Sequence, residues 1–298
     1  VAGRRSLRRV QADLVITDVR MPGESGLDLL ADLRREYPDL PVVVMTAHGT
    51  METAIEAVAR GAFDYLPKPL DLDRTLAVTT RALGEQPLAA AAQPTTPVAA
   101  SAIIGSTPAM QEVFRRIAAA ATTDLGVLIT GPSGSGKELV ARALHRHSPR
   151  RDKPFIAVNC GALPEALAEA ELFGRGDAGG GTKGRMQMAE GGTLFLDEVG
   201  ELPAPAQAKL LRFLEDQVFT PVGGHESVGI DLRIIAATNR DLQQQVASGA
   251  FREDLSYRLR VVGIALPALV DRLDDLGDLI RHFLARTAAR IGRTVAIT

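Results

Sequence analysis

The sequence predicts an α/β protein with parallel sheets, in two successive blocks. Two observations carry that prediction. Short apolar runs alternate with helical patterns along the chain, and the alternation is interrupted between Gly84 and Ser101. DLVIT (13–17) and PVVVM (41–45) read as buried parallel strands, because they are apolar without a period-two alternation. GLDLLADLRREY (26–37) and METAIEAVARGA (51–62) read as amphipathic helices. The interruption, GEQPLAAAAQPTTPVAA, has three prolines, four consecutive alanines and almost no charge, so it reads as a linker. Beyond it, PAMQEVFRRIAAA places Met110, Val113, Phe114 and Ile117 on one helical face. GVLIT (126–130), PFIAVN (154–159), GTLFLDE (192–198) and LRIIAATN (232–239) are the further strand candidates. A length of 298 residues suits about two domains of roughly 150 residues each.

Composition narrows the class. With 46 % hydrophobic and 23 % charged residues the chain can bury a core. A net charge of −2 gives no electrostatic reason to expect nucleic acid or an anionic membrane on this segment. The single cysteine, Cys160, excludes an internal disulfide and suits a reducing compartment. Neither a membrane span nor an apolar signal region is apparent, and the chain reads as a fragment at both ends.

The chemistry centres on GPSGSGKE, Gly131 to Glu138. A strand runs into it and the helical KELVARALHRH leaves it, the context in which a glycine loop cradles phosphates. Gly131, Gly134 and Gly136 allow the positive φ angles that turn backbone N–H groups inward, between Pro132, Ser133 and Ser135. Lys137 adds an ammonium at the helix start. Glu138 stands where the pattern expects a hydroxyl. A plain strand–helix turn is the competing reading. GGTLFLDE ends in Asp197 and Glu198, which at the carboxyl edge of a parallel sheet would share the loop's crevice. One carboxylate can hold Mg²⁺ through water and the other polarise an attacking water; an ordinary acidic strand end is the alternative. Asn239 ends another strand and suits orienting water. Arg252 and Arg258 can neutralise charge in phosphoryl transfer, although surface ion pairing accounts for either one alone. His145 and His147 point to different helix faces and make a poor metal pair, and Cys160 reads as a small core residue.

Six motifs in this order (GPSGSGKELVARALH, AVNCGALPE, ELFG, GGTLFLDEVGELP, AATNRDL and FREDLSYRL) resemble the AAA+ ATPase domain of sigma-54-dependent activators of the NtrC type. That resemblance implies that Lys137 binds phosphates, that Asp197 with Glu138 serves Mg²⁺, and that Glu198 is the catalytic base. It further implies Asn159 as a switch asparagine paired with Glu198, Asn239 as sensor, and Ile103, Ile104 and Gly105 beside the adenine. Arg252 and Arg258 match fingers that reach a neighbouring subunit, implying a homo-oligomer, typically a hexameric ring.

The first block is similar to a response-regulator receiver. Asp18 in DLVITDVRMPG matches the phosphoacceptor, Thr46 the hydroxyl, Lys68 in DYLPKPL the lysine and Tyr65 the switch aromatic. A carboxylate nucleophile would take the phosphoryl group while hydroxyl and ammonium bind its oxygens; taken alone, Asp18 is an ordinary strand-end acid. The resulting expectation is a partial flavodoxin-like receiver over 1–84, a linker over 85–100, and a P-loop AAA+ α/β domain with the start of a helical lid over 101–298. Implied with it are ATP and Mg²⁺, a sensor histidine kinase, RNA polymerase holoenzyme, DNA contacted through a C-terminal domain outside this chain, a cytoplasmic location and no membrane.

Three departures bear on these expectations. The receiver lacks its first strand, the acidic pair that follows and the second strand. The loop RGDAGGGTKGRMQMAE after ELFG has no aromatic tip, which argues against contact with sigma-54. Val270 stands where an arginine is common in the family. The sequence therefore leaves two other readings: a sigma-54-independent regulator that uses ATP binding for assembly, and a nucleotide-binding scaffold that does not hydrolyse.

Overall fold

The computed structural model describes residues 12–291, apart from 22, 24, 47–49, 69, 71, 85–102 and 177–180. The chain divides into two compact units, one drawn from residues up to Thr122 together with those from Asp274 onward, the other Thr123–Leu273.

The first unit opens with β1 (Val15–Asp18), α1 (Gly26–Glu36), β2 (Val42–Thr46), α2 (Met51–Ala59), β3 (Asp64–Pro67) and α3 (Leu72–Gly84). Its three strands form a parallel sheet in the order β1-β2-β3. Alternation along β2 covers both faces. Val42 and Val44 pack with Leu27, Leu30 and Leu33 of α1, whereas Val43 packs with Leu66 and Val78. The helices start where local chemistry permits. Ser25 Oγ accepts from the Leu27 N–H, Thr50 Oγ1 accepts from the Thr53 N–H, and Asp28 and Glu52 occupy first turns. Helix α4 (Pro108–Ala121) follows, with proline in its first turn, and within this unit it lies against α2. The face foreseen for it is buried: Met110, Val113, Phe114 and Ile117 are each 2 % exposed or less.

The second unit contains β4 (Val127–Thr130), α5 (Lys137–Arg146), β5 (Phe155–Asn159), α6 (Glu165–Phe173), α7 (Arg185–Met188), β6 (Thr193–Asp197) and α8 (Ala204–Asp216). It continues through β7 (Val218–Phe219), β8 (Val228–Gly229), β9 (Arg233–Thr238), α9 (Leu242–Ala247), α10 (Glu253–Leu259) and β10 (Val262–Ala265). Five strands form one sheet in the order β10-β4-β9-β6-β5, parallel at every pairing. Its core joins Leu194 and Leu196 of β6, Ile234 and Ala236 of β9, and Leu210 and Phe213 of α8. Two features were not foreseen. The β7–β8 hairpin has two residues per strand, too few to show a period, and β10 is an edge strand interrupted by Gly263.

The first unit resumes at the chain's end with α11 (Leu276–Ile291). Asp275, which precedes it, is fully buried and closes the N-terminus of α4. Its carboxylate accepts from the Ser106 and Thr107 N–H groups at 2.6 and 3.0 Å, and from their hydroxyls at 3.0 and 2.8 Å. Burial alone would raise this carboxyl's pKa, but the four donors outweigh it and hold it low. Asp275→Ala leaves those donors without their acceptor and is expected to cost roughly 3 kcal/mol of stability, read by denaturant unfolding. Because the folded pKa lies below the unfolded one, the contribution is complete above about pH 4 and fades as pH falls through the folded value.

Candidate functional site

In the second unit, the carboxyl ends of β4, β9 and β6 lie side by side, since β9 pairs with both of the others. The glycine loop leaves β4, Asn239 follows β9, and Asp197 ends β6. Gly131, Gly134 and Gly136 take φ values of +156°, +75° and +101°, and Gly136 is the residue from which α5 starts. A Cβ on Gly131 would lie 2.9 Å from that of Leu266, so space as well as φ requires glycine there.

Lys137 is buried at the start of α5, and its ammonium donates to the Gly131 and Pro132 carbonyls at 3.2 Å each. The same Nζ lies 3.9 Å from Glu198 Oε1. Glu198 adopts φ +53°, left-handed backbone that is strained for a residue with a Cβ. Its Oε2 accepts from the Asn239 backbone N–H at 3.3 Å, and its own N–H donates to Asp197 Oδ1 at 3.0 Å. Burial first, and then the neighbouring Glu198 and Glu138 charges, push the Asp197 carboxyl above its usual pKa.

The Ser135 hydroxyl supplies a direct test of fit. It is buried inside the loop with no hydrogen-bond partner. An orphaned hydroxyl in the loop that the Lys137 ammonium also faces is a donor pair that phosphate oxygens satisfy. No cluster of three His, Cys, Asp or Glu side chains capable of holding a metal occurs among the described residues. Mg²⁺ bound with phosphates keeps several waters and needs no such cage.

Several sequence expectations meet different surroundings. Asn159 was expected to pair with Glu198. Instead its Oδ1 accepts from the Gly161 and Ala162 N–H groups at 2.9 and 3.2 Å, capping the 3₁₀ turn Cys160–Ala162, and it makes no bond to Glu198. The carboxylate of Glu138 turns along α5 to Arg142, at 2.7 Å, one helical turn on. Asn239 reaches the site through its backbone. Arg252 is forked onto Asp254 at 2.8 Å and Arg258 lies 3.9 Å from Glu215; neither bonds to Lys137, Asp197 or Glu198. Pro132 and Ser133 are exposed at the loop's tip. Ile104 and Gly105 belong to the first unit, in the segment before α4, and a Cβ on Gly105 would lie 2.6 Å from Met110 Cβ. His145 is a satisfied core histidine, its Nδ1 2.9 Å from Thr193 Oγ1, and burial pushes the Cys160 thiol up to about 12.

The receiver residues gather at the carboxyl edge of the first unit's sheet. Asp18 ends β1 and forms an ion pair with the Lys68 ammonium, which holds its carboxyl below the usual pKa. Thr46 ends β2 and is buried, and its carbonyl accepts from the Lys68 N–H at 2.8 Å. Gly26 approaches so closely that a Cβ there would lie 1.9 Å from the Asp18 carbonyl oxygen. Tyr65 of β3 is 1 % exposed. Its phenol meets Gln111, a residue the sequence reading did not single out.

Fold and site together define a response-regulator receiver coupled to a P-loop NTPase of the AAA+ class. Comparison with known proteins is specific on this point. Residues 103–265 match the sigma-54 interaction domain, and residues 2–80 match the response regulator receiver domain. The chain belongs to the sigma-54 interaction domain family, with a receiver ahead of that domain. It is 48 % identical over 296 residues to the DNA-binding transcriptional regulator NtrC of Proteus hauseri, covering 97 % of this chain and 62 % of that protein. Against NtrC of Escherichia coli (strain K12) it is 48 % identical over 288 residues, covering 94 % and 61 %. A crystal structure of NtrX from Brucella abortus in complex with ATP is similar at a TM-score of 0.63 and 36 % identity, covering 99 % of this chain and 66 % of that one. The chain thus spans less than two thirds of the length of these NtrC relatives. The matched range 103–265 runs through the glycine-rich loop that lacks an aromatic tip. No helix among the described residues is long and apolar enough to cross a membrane.

Proposed function

We propose that the whole protein is a cytoplasmic response regulator that hydrolyses ATP to activate transcription by RNA polymerase carrying sigma-54. The observation that carries this reading is buried Lys137 facing half-buried Asp197 and Glu198 at the end of β6, beside a loop holding an orphaned Ser135 hydroxyl. Bound ATP with Mg²⁺ supplies a phosphoanhydride whose developing charge the metal offsets. The protein's part is to hold and to orient. Backbone N–H groups of Ser133, Gly134 and Gly136, the Ser135 hydroxyl and the Lys137 ammonium bind phosphate oxygens. Asp197 holds the metal side, joined by Glu138 once its carboxylate leaves Arg142. Glu198 takes a proton from the attacking water, and the Asn239 N–H fixes the carboxylate that does so. Asn159, released from its cap, offers Glu198 a second partner.

Arg252 and Arg258 serve a neighbouring subunit, in keeping with their place outside the loop's own contacts, so the active form is a homo-oligomer and in this family a hexamer. The domain limits proposed are 1–84, 85–100 and 101–298. Control comes through phosphorylation of Asp18 by a sensor histidine kinase, with Lys68 and Thr46 binding the phosphoryl oxygens. DNA contact belongs to a region outside these residues, as the name of the NtrC relatives supports.

The family match through the glycine-rich loop favours sigma-54 over the two other readings. The test is capture of sigma-54 polymerase by the full-length protein loaded with a transition-state analogue of ATP. Retention is expected; an assembled, analogue-bound protein that retains no sigma-54 would remove the partner from the proposal.

A further inference from the structure

Glu198 stands in left-handed backbone at the head of the 3₁₀ turn Val199–Glu201, and one neighbouring stretch, Thr238–Gln245, holds that turn in place. The Gln245 Nε2 donates to the Gly200 carbonyl at 3.1 Å. Gly200 is buried against the same stretch, so closely that a Cβ on it would lie 2.6 Å from Gln245 Oε1 and 3.2 Å from Thr238 Oγ1. Glu201 is ion-paired with Arg240, whose backbone N–H donates to Thr238 Oγ1 at 3.0 Å. Val199, between Glu198 and Gly200, is fully buried in the core that also holds Leu196 and Leu242.

Gln245 is itself fixed. Its backbone carbonyl accepts from the Ala250 and Phe251 N–H groups at 2.9 and 3.2 Å, and Phe251 is buried in the same core. An amide anchored at its backbone can restrain whatever its side chain holds. The two ends of that amide are not equally served. The donor end meets Gly200, whereas Oε1 is buried with no hydrogen-bond partner. A buried acceptor left unsatisfied carries a cost. Turning the amide over would be worse, because it would set oxygen against the Gly200 carbonyl oxygen. The amide is therefore kept in this orientation by its donor end alone.

Left-handed backbone at a residue with a Cβ persists only where the surroundings impose it. We infer that Gln245 is a positioning residue, whose side-chain N–H holds the Gly200 carbonyl and so keeps Glu198 aimed between Lys137 and the Asn239 N–H. The inference rests on the reading of Glu198 as the base, and goes beyond it by naming what enforces the strained conformation. It requires a donor at position 245 and no acceptor.

Three variants separate the two ends of the amide. Gln245→Met keeps the bulk with neither donor nor strong acceptor, Gln245→Glu keeps only acceptors, and Gln245→Lys offers only donors on a longer chain. Each is made in the full-length oligomer beside Glu198→Gln, and read by single-turnover hydrolysis of ATP with Mg²⁺ and by ATP affinity. Gln245→Met is expected to slow the chemical step about threefold to tenfold, the scale of one neutral hydrogen bond, with ATP affinity within about twofold of wild type. Gln245→Glu slows it at least as much, since a carboxylate then faces the Gly200 carbonyl. Gln245→Lys returns the rate to within about twofold of wild type, because its ammonium donates where the amide did. Wild-type turnover in Gln245→Met, equal slowing in Gln245→Met and Gln245→Lys, or a loss of ATP affinity matching the loss of rate would each overturn the role of Gln245. Wild-type turnover in Glu198→Gln would instead remove the base assignment, and this inference with it. A second readout needs no nucleotide. The Glu201 and Leu202 N–H groups close the turn onto the Glu198 and Val199 carbonyls at 2.9 and 3.1 Å, and their hydrogen exchange quickens in Gln245→Met but not in Gln245→Lys. Unchanged exchange in Gln245→Met would mean that the core alone holds the turn, and the proposal falls.

Discussion

Lys137→Ala is expected to abolish nucleotide-dependent turnover, lowering kcat in the full-length oligomer by about 10²–10³. The ammonium is 7 % exposed, 3.2 Å from two loop carbonyls and 3.9 Å from Glu198. Those carbonyls and that carboxylate face the ammonium. Once phosphate oxygens enter, they compete for the same three donors at short range in a site with little water. Removing the amine therefore leaves the oxygens facing carbonyl dipoles and a carboxylate with nothing to offset them. ATP affinity falls as well, by about ten- to a hundredfold for a lost charged hydrogen bond. Folding is affected much less, because a buried charge with imperfect partners contributes little net stability. The check is a pair of measurements on one preparation, turnover at saturating ATP and unfolding by denaturant. Turnover within a few-fold of wild type would mean that phosphate is held elsewhere.

How much of this arrangement could be read from the sequence depends on how local each interaction is. The parallel sheets were legible because DLVIT, VVVMT and TLFLD are apolar on both faces, a pattern that only strands covered on two sides require. The phosphate loop was legible because its glycines stand where positive φ is needed, and all three adopt it. The Glu138–Arg142 pair was visible as an i,i+4 spacing, yet a motif read by its family role obscured it. Asn159 capping Gly161 and Ala162 is what an asparagine ending a strand does when nothing stronger competes for it. The Tyr65–Gln111 contact joins residues 46 apart, and no local rule connects them. Its one sequence trace is a glutamine on the stripe shared with Phe114 and Ala118, where an apolar residue would be expected. Asp275 left less still, since a carboxylate that closes a helix 168 residues away looks on paper like any surface acid.

Glu198→Gln separates binding from chemistry and has the other large expected effect. Glutamine keeps the length of the side chain and an oxygen to accept from the Asn239 N–H, now 3.3 Å from Glu198 Oε2. It cannot accept the proton of an attacking water. Turnover is expected to fall by about 10²–10⁴, the usual contribution of a positioned general base. ATP binding persists, strengthened if anything, because one negative charge leaves a crevice already occupied by Asp197. The left-handed backbone at position 198, φ +53°, costs about as much for glutamine as for glutamate, so stability changes little. That strain also argues for the assignment. A left-handed glutamate at a strand end persists only where its surroundings enforce it, and here they aim the carboxylate at the gap between Lys137 and Asn239. Asp197→Asn provides the contrast, since it would weaken Mg²⁺ dependence and turnover together, whereas Glu198→Gln should leave the Mg²⁺ requirement for binding intact. Stopped-flow binding and single-turnover hydrolysis on the two variants decide the matter. If Glu198→Gln hydrolyses ATP at the wild-type rate while Asp197→Asn does not, the base is another group and the crevice serves only to hold the nucleotide.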